Sequence, residues 1–255
     1  MSKIGISRAG GVVTAIFDRP GKKNALDGEM YDALIAMLAD AGRDPDIGAV
    51  VLGGAGGAFT AGNDLADFLV HLAEPRAFPA LRFVRALAGF EKPLVAAVSG
   101  DAVGVGTTML FHCDLVYAAP DAKFRTPFVD LGLVPEAAVS LTMPQRFGYA
   151  RAAQYLLLGE SFDAQDAFDL GLVVGLCDAE AVLGKAQEAA QRLATKPRAA
   201  LLAARRLMRG DPSAIAARIE EEAELFIDAL GDPQTKARMQ AFFAQRKTQP
   251  SDRLA

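Results

Sequence analysis

Apolar and polar residues alternate over Lys3–Ser7 and Val12–Asp18, on either side of Ala9-Gly10-Gly11, and this period of two predicts a β-hairpin. Arg-Pro-Gly-Lys-Lys-Asn at 19–24 breaks the pattern. Asn24 or Asp27 then caps a helix reaching about Ala41, with Met30, Leu34, Met37 and Leu38 along one face. Ala49–Leu52 and Leu94–Val98 are short, wholly apolar runs that read as buried strands, each followed by a glycine-rich loop. Between them a helical stretch is expected over 67–88, interrupted at Pro75 and Pro79. Beyond the second loop the pattern gives a helix from about Thr107 to His112 and a strand at Leu115–Ala118. Helices around Ala150–Leu158 and Ala164–Leu170 precede a strand at Leu172–Leu176, and everything from Ala179 onward reads helical. Strands alternating with helices imply an α/β core, here divided as residues 1–195, with a helical segment over 196–255.

The length of 255 residues allows one large domain, or a domain with an appendage. A net charge of −4 leaves no basic footprint for nucleic acid. Two cysteines, Cys113 and Cys177, exclude a disulfide scaffold and fit a reducing compartment. The most apolar stretch, Leu94–Cys113, contains Asp101, Gly100, Gly104 and Gly106, so it reads as strand, turn and helix start rather than a membrane span. The N-terminus lacks the apolar block and small-residue site of a signal peptide, and a cytoplasmic protein without membrane partners is expected.

The two loops, GGAFTAGND at 56–64 and SGDAVGVG at 99–106, end in no Gly-Lys-Ser/Thr triplet and spell no dinucleotide fingerprint. Singly, each is a tight strand-to-helix turn. Paired at the ends of neighbouring strands, they can point two backbone N–H groups at one oxygen, and the candidate donors are the amides of Asn63 and Val105. The stretch LGLVPEAAVSLT at 131–142 adds one charged side chain, Glu136, among apolar, small or uncharged neighbours. An unpaired carboxylate is costly to bury, so Glu136 is either a solvated loop residue or a group kept dry to move a proton.

AFTAGNDLADF, VAAVSGDAVGVGTTMLFHCDLVYAAPDAKFRTPFVDLGLVPEAA and LLLGESFDAQDAFDLGLV together resemble the crotonase superfamily of enoyl-CoA hydratases and isomerases. RPGKKNAL and AFFAQRK are similar to that family's first CoA-contact segment and its C-terminal helix. The resemblance implies a spiral of ββα units followed by helices that pack on a neighbouring subunit, as a trimer or dimer of trimers. It implies that the amides of Asn63 and Val105 hold a thioester oxygen, and that Lys22, Ala25, Leu26, Ala61, Asp64, Leu65, Phe242 and Lys247 contact CoA. It implies no metal and no cofactor beyond the CoA of the substrate.

Hydratases of the family carry two glutamates where this chain has Thr108 and Phe128. TPFVDLGLVPEAAVS instead resembles the peroxisomal type of 3,2-enoyl-CoA isomerase, in which one acid after LGL-x-P does the proton work, a role that falls to Glu136. Ring-type CoA isomerases of aromatic catabolism share that single acid, and a non-catalytic acyl-CoA-binding subunit is the alternative from another class. Asp130 reads as a surface or pairing residue, Asp64 also as a helix cap, and His112-Cys113-Asp114 as packing at a helix end rather than a metal site. His71 reads as a pocket wall or a half-buried side chain, and Ser99 lacks the first glycine of a nucleophile elbow.

Overall fold

The structure is a computed structural model, and it describes residues 3–64, 66–67 and 78–248, with side chains at 240 and 242–248 excepted. A six-stranded sheet in the order β1-β2-β3-β4-β6-β9 forms its centre. The hairpin β1 (Ile4–Ala9) and β2 (Val12–Phe17) is antiparallel, and β3 (Ala49–Gly54), β4 (Leu94–Val98), β6 (Leu115–Ala118) and β9 (Gly175–Leu176) continue in parallel. The apolar runs are continuous because both faces are covered. Val50, Leu52, Ala96 and Val98 face the main core, while Ala49, Val51, Val95 and Ala97 meet Val182, Ala186 and Ala190.

Helix α1 (Gly28–Arg43) lays Met30, Tyr31, Leu34, Met37, Leu38 and Ala41 into the main core. Its cap is Asp27, whose carboxylate accepts from the Met30 N–H at 3.1 Å, while Asn24 serves elsewhere. Helix α2 (Pro79–Ala88) starts on the proline predicted to interrupt it, since the first turn needs no N–H there. Expectations for residues 68–77 lie outside the described residues.

A second sheet of three short strands, β5 (Asp101–Val103), β7 (Lys123–Arg125) and β8 (Phe162–Asp163), was not foreseen. It stands on stacked Phe124 and Phe162, whose ring centroids are 5.1 Å apart. Val105–Thr108 forms a single helical turn, α3, and Met109–His112 a 3₁₀ turn, where one helix from Thr107 was expected. Helix α4 (Val139–Phe147) was also unforeseen; α5 (Tyr149–Leu156) and α6 (Ala164–Asp169) fall where helices were expected. The remainder is α7 (Val182–Ala194), which covers the second face of the large sheet, then α8 (Arg198–Arg209), α9 (Pro212–Gly231) and α10 (Pro233–Thr248).

Candidate active site

β3 and β4 are adjacent and parallel, so the glycine loops that follow them emerge at the same end of the sheet. The loops then join. Thr60 donates its N–H to Asp101 O and accepts from the Val103 N–H at its own carbonyl, both at 3.0 Å. A Cβ on Gly62 would stand 2.6 Å from Val103 O and 3.9 Å from the Cα of Gly104, which measures how closely the two turns approach. Gly62 has φ +83°, and Gly104 has φ 57° with ψ −120°, a combination open essentially to glycine alone.

The next residues are Asn63 and Val105. Among the described residues neither backbone N–H donates to a protein acceptor. Residues 23–26 flank the first loop: Ala61 N–H donates to Lys23 O at 2.8 Å, Leu26 N–H to Gly62 O at 2.8 Å and Asp64 N–H to Leu26 O at 2.7 Å. Asn24 is fully buried and holds the turn from below, donating to Ala55 O and Ala58 O at 2.7 Å each. The Tyr31 hydroxyl of α1 donates to the Asn63 side-chain oxygen.

Of the CoA-contact expectations, Lys22, Ala25, Leu26, Ala61 and Asp64 lie on these two strands of chain, side by side. Asp64 caps as expected, accepting from Ala66 N–H at 2.9 Å, and also pairs with Arg19 at 3.0 Å. Lys23 pairs with Asp101 at 2.9 Å. Leu65 and His71, with the side chains of Phe242 and Lys247, lie outside the described residues.

Glu136 is buried, 6% exposed. Its Oε1 accepts from the hydroxyl of Thr108, one turn beyond Val105 on α3, so the carboxylate is tied to the same turn that carries the second amide. Its Oε2 is buried and has no hydrogen-bond partner among the described residues. Burial pushes its pKa up to about 8; the Thr108 bond opposes that rise and the charge of Glu222 adds to it. Phe128 is buried, and Asp130 pairs with Arg125 at 3.1 Å near the surface.

Ala137 and Ala138 follow with φ 62° and 55°, two successive left-handed alanines that cost roughly 1–2 kcal/mol each. The sequence did not mark the groups that hold them. The Nε2 of His112 lies 2.8 Å from Ala137 O, and Glu222 of α9 accepts from Ala138 N–H at 2.6 Å. His112 is buried in its 3₁₀ turn as packing would have it, and burial lowers its pKa to about 4. No group of three His, Cys, Asp or Glu side chains arranged to hold a metal occurs among the described residues. Nor is any helix among them long and apolar enough to cross a membrane.

Two backbone N–H groups without a protein acceptor among the described residues, on loops tied together and linked through Thr108 to one desolvated carboxylate, make a class of site suited to moving protons next to a carbonyl whose oxygen takes up charge. The family model described as Enoyl-CoA hydratase/isomerase matches residues 7–253, and the chain belongs to that family. It is 40% identical over 174 residues to enoyl-CoA delta isomerase 2 of Rattus norvegicus, a match covering 66% of this chain but only 44% of the rat protein. It is 37% identical to 1,2-epoxyphenylacetyl-CoA isomerase of Escherichia coli (strain K12), over 73% of this chain and 74% of that one. Among solved structures, Pseudomonas aeruginosa OdaA superposes with a TM-score of 0.91 at 38% identity, over 95% of this chain and 99% of that one. An enoyl-CoA hydratase/isomerase from Pseudoalteromonas atlantica T6c gives 0.90 at 37%, over 96% and 98%. The fold is therefore that of the crotonase superfamily.

Proposed function

We propose that the protein converts a 3-enoyl-CoA to the conjugated 2-enoyl-CoA, with Glu136 as the single acid/base and the amides of Asn63 and Val105 as the oxyanion hole. The observation that carries this reading is the orphaned Oε2 of Glu136, a buried carboxylate oxygen without a partner among the described residues, beside the paired loops. Oε2 takes the proton from the alpha carbon, and the electron pair of that bond moves toward the thioester oxygen, giving a dienolate whose charge rests on the two amides. The proton then returns from Oε2 to the gamma carbon as the dienolate collapses, leaving the double bond between alpha and beta carbons. A carboxylate with a pKa of about 8 is suited to both halves, since it is a stronger base than an ordinary glutamate and still holds a proton near neutrality. The reaction needs no metal and no cofactor beyond the CoA that the substrate carries.

Hydration by paired carboxylates has less support. The partner of Glu136 is a hydroxyl, Phe128 offers no oxygen, and the carboxylate of Glu222 is engaged by the backbone of 138–140. A ring-type CoA isomerase is the second reading, favoured by the Escherichia coli relative, which aligns over more of its length than the rat enzyme does. Leu207 and Met208, 79% and 87% exposed on α8, support assembly through the C-terminal helices into a homotrimer or dimer of trimers.

The test follows the absorbance of the conjugated product from a 3-enoyl-CoA, for the wild type and Glu136→Gln. The wild type turns over, and the variant loses on the order of 1000-fold while still binding CoA. A wild type that binds CoA but leaves every 3-enoyl-CoA unchanged overturns the reading in favour of a ring substrate or a binding subunit.

A further inference from the structure

Ala137 and Ala138 are joined by one peptide unit, and both polar groups of that unit are held from outside. The carbonyl of Ala137 can only accept, so the neutral imidazole of His112 carries its proton on Nε2 and donates it there at 2.8 Å. On the other side of the same plane, the Ala138 N–H donates to Glu222 Oε2 at 2.6 Å. The second oxygen of Glu222 accepts from the Ser140 N–H at 3.1 Å and from the Ser140 hydroxyl. Both residues are buried, 1% and 4% exposed. They come from separate elements, the 3₁₀ turn after α3 and the helix α9, both of which also pack against α4.

We infer that His112 and Glu222 are positioning residues that clamp the Ala137–Ala138 peptide from both sides, so that Glu136 is presented with one oxygen on Thr108 and the other free. This rests on Glu136 being the acid/base. Neither clamp residue touches the reacting atoms. Two left-handed alanines have no side chain able to hold their own backbone, so without the clamp the segment relaxes and the carboxylate leaves its place. A displacement of about an ångström is enough to cost on the order of 100-fold in turnover.

Glu222 also acts on Glu136 through its charge. Among the described residues, the groups facing Glu136 are the Thr108 hydroxyl of α3, the Tyr31 phenol of α1 and Glu222 itself. Facing Glu222 are Ser140 of α4 and Arg218 of its own helix, which also donates to Ser140 Oγ at 3.1 Å. Arg85 and Arg82 of α2 pair with Glu220 and Asp32, and Arg146 of α4 lies over the Phe111 ring.

The experiment records kcat, KM and the pH profile of 3-enoyl-CoA isomerisation for the wild type, Glu136→Gln, Glu222→Gln, His112→Ala and His112→Gln. Glu222→Gln keeps the shape and an acceptor oxygen but removes a negative charge, so Glu136 ionises more easily and the acid limb moves to lower pH. Its kcat falls by up to about 100-fold with KM nearly unchanged. His112→Ala loses a similar factor without moving the limb, and His112→Gln, which can still donate, recovers part of it. Unchanged kcat and an unmoved limb in folded Glu222→Gln overturn the clamp even when Glu136→Gln is inactive. Should His112→Ala fail to fold, Glu222→Gln alone decides. A silent wild type, or a Glu136→Gln variant that still turns over, overturns the catalytic reading and the clamp with it.

Discussion

The two sides of the candidate site are made of different material. The proposed oxyanion side is main chain: two amides in the glycine loops that follow β3 and β4, fixed by a ladder of backbone bonds between residues 23–26, 60–64 and 101–103. The proposed proton-transfer side is one carboxylate on irregular backbone, with Thr108, His112 and Glu222 gathered around it from distant elements. Side chains act only as braces on the first side, Asn24 below the turn, while glycine conformation places the amides. On the second side the backbone is adaptable and four side chains decide. A main-chain device is stable and tolerant; a lone buried carboxylate is neither, because its desolvation is part of its chemistry.

The largest expected effect that tests this contrast is Gly104→Ala. A Cβ there meets no atom within 4 Å among the described residues, so the substitution acts through φ 57° and ψ −120°. The turn must rotate, and the Val105 amide turns with it. Loss of one such donor costs roughly 3–4 kcal/mol of transition-state stabilisation, or about 100- to 1000-fold in kcat. The check is kcat on a 3-enoyl-CoA beside the melting temperature. A variant with wild-type turnover would mean that the Val105 amide is not part of the machinery.

This division also explains what could be read from the sequence. The hairpin and α1 announce themselves by periodicity, β3 and β4 as unbroken apolar runs, and the glycine loops by composition, because the main-chain side is local in sequence. Glu136 is visible as a lone charge in an apolar run. Strands β5, β7 and β8 are two or three residues long, too short for alternation to register. Helix α4 was hidden by Pro144 within it, which removes one helical hydrogen bond that packing on α9 makes affordable. Glu222 lies among Glu220, Glu221 and Glu224 and looks like one more solvated charge, yet it falls on the buried stripe of Ile219, Ala223, Phe226 and Leu230. A charge on the apolar face of an amphipathic helix was the available signal. His112 had only its helix-end position, and nothing local shows that it reaches residue 137.

A second way to sharpen the contrast is to separate stability from activity at Glu136. In the unfolded chain its carboxyl ionises near 4.5, and in the folded protein near 8. Below the first value both states are protonated and the group contributes nothing to the balance. Between the two, the unfolded state has lost a proton that the folded state keeps, so stability falls as pH rises, by about 1.4 kcal/mol per pH unit. Above the second value the penalty is complete, on the order of a few kcal/mol. Glu136→Gln removes this dependence, so the variant melts higher than the wild type at pH 8 and the gap closes toward pH 4.5. Urea midpoints across that range measure it. Equal stability at the upper end would place Glu136 in contact with water and remove the basis for its raised pKa.

The smallest effect belongs to Tyr31, whose hydroxyl reaches the Asn63 side chain on the main-chain side. Its hydroxyl donates to the Asn63 side-chain oxygen, and the phenol is buried, with its pKa raised by that burial first and by the charge of Glu136 second. Tyr31→Phe deletes the donor and nothing else. The Asn63 amide stays where the backbone puts it, between Gly62 O and Asp64 N–H, both bonded to Leu26. One side-chain hydrogen bond contributes about 1 kcal/mol, so kcat falls by less than about ten-fold and CoA affinity is unchanged. A fall of about 100-fold or more would show that the phenol is needed to aim the amide. The oxyanion side would then depend on a side chain as the other side does, and the distinction between them would be gone.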